Sequence, residues 1–352
     1  MEVLGLSLAL LVLFVSFGFM VGVFFGFFGM GGAFLVTPTL LILGYPAPVA
    51  IGSAMAFVFG TAVIATMKHH DVGQVDYKLG GLMFVGIALG IEAGKLFVLF
   101  LDELGHAEIV VGAVYIVLLA AIGVVFIRSS LKQSPGEGAT NGGTTGQDAE
   151  DEPASDEDIP EIARTIKSYN IPPMMTLTDG SKASLWTISG VGGVVGVVSG
   201  FLGVGGGFLR MPAIYYLIGI PLGAAVGTSL FGALMSGAVG TFTYGLSGVV
   251  DLGVVTALLA GSALGARIGS ASTAYVDEHD VTIYFGIMLV MASSAVAFGE
   301  LSTWLEMPVL DTVSFVLLLG SAAFVTAIIL YYGVKAVRTS PPEPTPTPGG
   351  DA

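Results

Sequence analysis

Nine stretches of this chain are apolar for longer than a soluble core requires. They cover residues 4–28, 33–67, 79–101, 107–127, 185–202, 207–244, 252–271, 281–298 and 309–334. A segment of ~20 apolar residues is long enough to cross the hydrocarbon of a bilayer as a helix. Inside hydrocarbon every backbone amide must bond within the protein, which restricts spanning segments to helices or closed barrels. Continuous rather than alternating runs select helices. Charged residues make up only 11% of the chain, against about 25% in a soluble domain. The expected fold class is therefore all-α, a polytopic membrane protein. The 52 glycines lie largely within the apolar runs, where they let helices approach closely. The first run has no Lys or Arg before it, is long for a signal sequence and leads into a Gly-rich motif, so it is expected to be a mature span.

Two runs do not fit this simple reading. Residues 33–67 and 207–244 are too long for one span and too short for two with a loop. Gly44, Pro46 and Pro48 interrupt the first, and Gly219 and Pro221 the second. The residue before a proline is pushed out of helical geometry. Each stretch therefore predicts a half-helix followed by a full helix.

The same two stretches carry an internal duplication. VGVFFGFFGMGGAFLVTPTLLIL at 21–43 lines up with VGVVSGFLGVGGGFLRMPAIYYL at 195–217, with Gly22 recurring as Gly196, an offset of 174. One inserted residue later, Gly52, Gly73, Asp76, Gly86, Gly90 and Gly94 recur as Gly227, Gly248, Asp251, Gly261, Gly265 and Gly269, an offset of 175. The chain is expected to hold two homologous repeats of about four transmembrane helices each, with broken half-helices, plus a C-terminal helix. The repeats take residues 1–128 and 185–300, the last helix 301–338. Between them, 129–184 is an acidic, disordered linker, with a short surface helix expected at 159–169. Residues 339–352 form a Pro-rich tail. An odd number of crossings per repeat makes the repeats inverted and an even number parallel; hydropathy leaves this open. Paired segments broken by Gly and Pro at matching positions point to a transporter architecture.

The net charge is −14, and the acids cluster above all at 148–161 in the linker, which reads as a solvated acidic surface or a docking site for a basic partner. No basic patch is present, so nucleic acid is not an expected partner. Cysteine is absent, which excludes thiol chemistry and disulfides, and no cofactor or metal is expected. Lys68, Lys78, Arg128 and Lys132 put the 67–79 loop and the linker in the cytoplasm by the positive-inside rule. With nine crossings, however, Lys335 and Arg338 fall on the other side.

The candidate substrate-binding residues start with the two glycine breaks, Gly29, Gly31 and Gly32 in the first copy and Gly203, Gly205 and Gly206 in the second. A helix starting inside the membrane presents unpaired N–H groups and a positive dipole end, suited to an anion. The plainer reading is tight helix packing. Neither break is followed by the Lys-Ser/Thr of a phosphate loop. Ionisable residues in spans are costly and usually functional. Arg210 stands where the first copy has Val36, and it either faces an anion path or snorkels to the interface. Arg267 aligns with Glu92 and either binds an anion or pairs with Glu92 across the repeats; Glu92 and Lys95, at i and i+3, can also pair. Ser53, and Thr228 with Ser229, follow the second break of each copy and either donate to substrate or satisfy local carbonyls. Asp76 and Asp251 read as helix caps. His69 and His70, expected in a loop, make a poor metal site. Gly86, Gly90 and Gly94, with Gly261, Gly265 and Gly269, form one packing face at four-residue spacing.

These motifs, GFFGMGGAFLVTPTL with GFLGVGGGFLRMPAI, then AIGSAMAF with AVGTSLFG, and LGARIG, resemble the sulfite exporter TauE/SafE family of probable membrane transporters. The resemblance covers nearly all of the chain except linker and tail. It implies export of a small anion (sulfite, sulfoacetate or a related organic anion) across the cell membrane by a multi-pass secondary transporter that is not an enzyme. The long linker and the Glu92/Arg267 mismatch depart from a symmetric two-arginine site. Transport is expected to proceed by rocking one half against the other. An anion channel or a non-transporting membrane assembly protein is the alternative, and a homo-oligomer is compatible with either.

Overall fold

The over-long runs resolve as the prolines and glycines dictate, each into a short helix followed by a long one. In the computed structural model, residues 2–3, 5–28, 32–71, 75–132, 173–176, 182–214, 218, 222–272 and 278–339 are described. Helix α1 (Leu8–Phe28) leads through a 3-10 turn (Gly32–Leu35) into the short α2 (Val36–Ile42). The long helices α3 (Ala47–Asp71), α4 (Tyr77–Glu103) and α5 (Ala107–Lys132) follow. The second copy runs α6 (Leu185–Leu202), the short α7 (Gly207–Ala213), α8 (Leu222–Leu246), α9 (Leu252–Ser272) and α10 (Glu278–Leu305). The last helix is α11 (Pro308–Thr339). Eight of the described helices are long and apolar enough to cross a membrane, and α8 adds 25 residues. Two small antiparallel hairpins, Glu2–Val3 with Leu6–Ser7 and Met174–Thr176 with Lys182–Ser184, precede α1 and α6. The linker expected at 129–184, with its surface helix, and the tail lie largely outside the described residues.

Polar side chains set the helix ends. Asp76 caps α4, its Oδ1 accepting from the N–H of Leu79 at 2.9 Å. Asp251 does the same for α9, accepting from Gly253 and Val254 at 2.9 and 3.1 Å. A carboxylate at a helix start also faces the positive dipole end. Gly44, at φ 82°, closes the turn between α2 and α3. Helix α3 continues through His69 and His70 to Asp71, so the two histidines lie on a helix end and not in a loop.

The glycines fix how the helices pack. A Cβ on Gly18, Gly22 or Gly26 of α1 would fall 2.2, 2.5 and 2.2 Å from the carbonyl oxygens of Leu258, Ser262 and Ala266 on α9. From the other side, Gly261, Gly265 and Gly269 meet the carbonyls of Val15, Phe19 and Val23. The two backbones therefore touch along a seam that no other residue type permits. The same seam recurs between α6 and α4: Gly192, Gly196 and Gly200 meet Met83, Ile87 and Ile91, and Gly86, Gly90 and Gly94 meet Ser189, Gly193 and Val197. Every one of these contacts maps onto its counterpart at the 174/175 offsets.

The order of the contacts gives the helix directions. Positions rise together on α1 and α9, so these run parallel, as do α4 and α6. On α3 and α8 they run oppositely: Gly52 meets Tyr244, Met55 meets Gly240 and Phe59 meets Gly237. Helices α5 and α10 are also antiparallel, with Ser293 donating to the Ile116 carbonyl at 2.8 Å and Gly112 lying beside Glu300. Since α3 and α8 are equivalent by sequence yet antiparallel, the two copies are inverted. The short segments through α2 and α7 each return the chain, which gives the odd count per copy that inversion needs.

That return also resolves the charge conflict. The C-terminal ends of α3, α5, α9 and α11 share one face, which places Lys68, Arg128, Lys132, Lys335 and Arg338 together, with Lys78 at the start of α4. The opposite face carries Asp102, Glu103, Glu108, Asp251, Glu306 and Asp311 and, among the described residues, no Lys or Arg. The positive-inside rule puts the basic face in the cytoplasm. Each seam joins one helix from each half of the chain.

Candidate functional site

Helix α6 stops at Leu202 because Gly203 takes φ 77°. Gly205 and Gly206 follow at φ 67° and 73°, a left-handed region nearly closed to other residues. The chain reverses there inside an apolar interior, where Val204 is 2% exposed. The first copy holds this break in place. The carbonyl freed at Leu202 accepts from Thr37 Oγ1 at 2.9 Å and from the Tyr115 hydroxyl. A Cβ at Gly203 would meet Thr37 Oγ1 at 2.8 Å and the Ile51 carbonyl at 3.0 Å, and one at Gly205 would meet Val58 at 2.4 Å.

One turn into α7 stands Arg210, completely buried. It does not snorkel to the interface. Its shaft lies on α8 at Gly232, where a Cβ would fall 2.6 Å from Cδ and 2.7 Å from Nε. Nη1 donates to the Ser229 carbonyl at 3.1 Å, and Nη2 donates to the Gly205 carbonyl at 3.4 Å and to Ser236 Oγ. Ser229 Oγ in turn donates to the Gly207 carbonyl at 2.9 Å, and Ser236 Oγ to that of Gly232 at 2.9 Å. The frame of hydroxyls and carbonyls orients the guanidinium without neutralising it. No carboxylate pairs with Arg210 among the described residues, and its Nε has no partner. Ser199 Oγ, on the last turn of α6, is likewise buried and unpartnered.

At the same repeat positions the first copy carries Phe25, Val36, Ala54, Phe57 and Thr61 where the second has Ser199, Arg210, Ser229, Gly232 and Ser236. Arginine over glycine replaces valine over phenylalanine, exchanging bulk between neighbouring helices. The end of α1 is lined instead by aromatic rings, with Phe24, Phe28, Phe34 and Phe126 packed around Phe285. The polar chemistry is thus concentrated in one copy.

The structure brings Gly203, Gly205, Gly206 and Arg210 together. Gly29 and Gly31 lie outside the described residues, and Gly32 opens the 3-10 turn. Ser53 and Thr228 are buried and hold backbone amides of the other copy: Ser53 Oγ accepts from the Asp251 N–H and Thr228 Oγ1 from the Asp76 N–H, each at 3.0 Å. Each thus ties a central helix to the capped end of a helix in the other copy. Arg267 does not join the site. It is two residues from both Gly265 and Gly269, on the face of α9 opposite the seam, and is exposed. Nor does it pair with Glu92, which bonds Lys95 at 2.8 Å. Ser229, a candidate from the sequence, satisfies the local Gly207 carbonyl; Ser199, Gly232 and Ser236 escaped the sequence reading because it sought positions where the copies agree, and their signal was where the copies differ.

Inverted, broken-helix repeats around a buried cation define a multi-pass α-helical membrane transporter. The chain belongs to the sulfite exporter TauE/SafE family, whose model matches residues 14–296. It is similar to the probable membrane transporter protein YunE of Bacillus subtilis, 25% identical over 80% of this chain and 94% of the relative. A probable membrane transporter protein of Xylella fastidiosa is 24% identical over 80% and 92%, and YjnA of Bacillus subtilis 26% over 73% and 87%. No solved structure matches the chain.

Proposed function

We propose that this transporter is a secondary carrier for a small anion, bound against Arg210 and exported from the cytoplasm. The observation that supports this reading is a fully buried guanidinium with no carboxylate partner among the described residues and an unused Nε–H. A buried charge left alone costs several kcal/mol, and such intramembrane ions mark substrate pathways. An anion at about 4 Å from the guanidinium gains roughly 4 kcal/mol at an effective dielectric near 20. That is about a thousandfold in affinity.

The family name suggests sulfite, and organosulfonates such as sulfoacetate share its charge and oxygens. With the cytoplasm negative, exit of a monoanion is favoured by ~2.3 kcal/mol per 100 mV. The moving bodies are mixed ones, α1 with α9 and α4 with α6, because the glycine seams hold those pairs. Radiolabelled sulfite flux into proteoliposomes tests the reading. Saturable uptake by the wild type, lost in Arg210→Gln, is the expected result. Uptake rising linearly without saturation points to a channel, and Arg210→Gln carrying sulfite at the wild-type rate overturns the assignment.

A further inference from the structure

Helix α6 ends inside the protein, so its last carbonyls lack the partners that a continuing helix would supply. Hydroxyls from three other helices take them. Thr37 Oγ1 of α2, at 2.9 Å, and the Tyr115 hydroxyl of α5 both donate to the Leu202 carbonyl. The Tyr244 hydroxyl of α8 donates to that of Gly200 at 2.6 Å. All three side chains are fully buried. Along its length α6 is seated on α4 by the glycine seam, so these bonds tie that pair to the rest of the molecule. They lie in the half of the protein away from the cytoplasm. A Cβ at Gly203 would meet Ile51, one turn into α3, and Tyr244 is two residues from the end of α8.

The cytoplasmic half is closed by different chemistry. At the offset of 174, Phe28 stands where the second copy has Leu202, and Met211 stands where the first has Thr37. Methionine has no hydroxyl to donate. Phe28 packs instead on Phe285, which also meets Phe34 and Phe126.

We propose that Thr37, Tyr115 and Tyr244 latch the outer gate: the transporter opens to the outside when the end of α6 leaves these hydroxyls and water takes their place on the carbonyls. They are positioning residues. A carbonyl in this interior needs a donor whichever way the protein faces. In the closed form the hydroxyls supply it, and in the open form water can. Removing the hydroxyls therefore penalises the closed form and spares the open one. The population shifts outward by the cost of an unmet buried carbonyl, roughly tenfold. The proposal concerns the motion and holds for whichever solute is carried, so it stands or falls apart from the anion reading.

The test uses Val204, which lies in the break and is 2% exposed. The chain has no cysteine, so Val204→Cys introduces its sole thiol. Labelling by a membrane-impermeant methanethiosulfonate is followed in right-side-out and inside-out vesicles, with and without Thr37→Val and Tyr115→Phe together. The latched protein should label slowly from both sides. Loss of both hydroxyls should speed labelling about tenfold from the outside alone. Thr37→Ser, which keeps the hydroxyl, should label at the latched rate. Melting of the purified proteins reports that each variant folds. Should the double variant not fold, Thr37→Val alone, of nearly the same shape, carries the same expectation; failure of that variant too would make the hydroxyls structural and overturn the latch. Equal acceleration from both sides, or none, also overturns it. Acceleration confined to inside-out vesicles overturns its assignment to the outer gate.

Discussion

Replacing Gly265 by alanine places a methyl carbon 2.1 Å from the Phe19 carbonyl oxygen and 2.9 Å from the Val23 nitrogen. Both atoms are backbone and cannot rotate away. To restore ordinary contact near 3.5 Å, α1 and α9 must separate by about 1 Å or more along the seam. Overpacking of this kind costs about 1–3 kcal/mol, occasionally more, and here the separation also loosens the five neighbouring glycine contacts. A cost at or above the upper end, roughly 3 kcal/mol, follows. Gly81 supplies the control. It lies on α4, and a Cβ there meets nothing within 4 Å, so alanine should stabilise by up to about 1 kcal/mol through helix propensity alone. Melting in detergent, followed by size-exclusion chromatography of heated samples, measures both. Gly265→Ala should melt well below the wild type and Gly81→Ala at or above it. Gly265→Ala melting with the wild type would refute the seam.

Three further outcomes follow from the geometry. Ser53→Ala and Thr228→Val each strip the acceptor from a capping amide, of Asp251 and Asp76 respectively, and should lower stability by about 1–3 kcal/mol in denaturant melts, whereas Thr228→Ser should be close to neutral. Arg210→Met removes a buried charge that has no counter-ion, so its stability without ligand should be unchanged or higher by about 1–4 kcal/mol; a large loss would mean that the guanidinium is structural. Because the chain has no cysteine, single Glu306→Cys and Lys132→Cys proteins report sidedness without background. A membrane-impermeant thiol reagent on intact cells should label the first and reach the second only after lysis; the reverse pattern contradicts the orientation.

Much of this fold was legible in the sequence because glycine has one dominant use in a membrane helix. The fourfold spacing of Gly86, Gly90 and Gly94 announced a packing face, and the Asp76 and Asp251 caps could be read from residue type and position. Helix direction was not legible. It depends on whether the short α2 and α7 segments return the chain, which hydropathy does not encode and which the contacts of Gly52, Gly237 and Gly240 reveal. The site was legible in part. Arg210 stood out by its cost. Arg267 looked equivalent until the position of the seam put it on the outer face, and the amides that Ser53 and Thr228 hold could not be read from the sequence.

The claim on which the functional account depends is that an anion sits against the Arg210 guanidinium in the interior. Selenite, the selenium counterpart of sulfite, scatters anomalously and can be located directly in crystals of the wild-type protein. The account predicts one selenium peak per chain, beside the Arg210 guanidinium. A peak at the exposed Arg267, or none in the interior at saturating selenite, would contradict it.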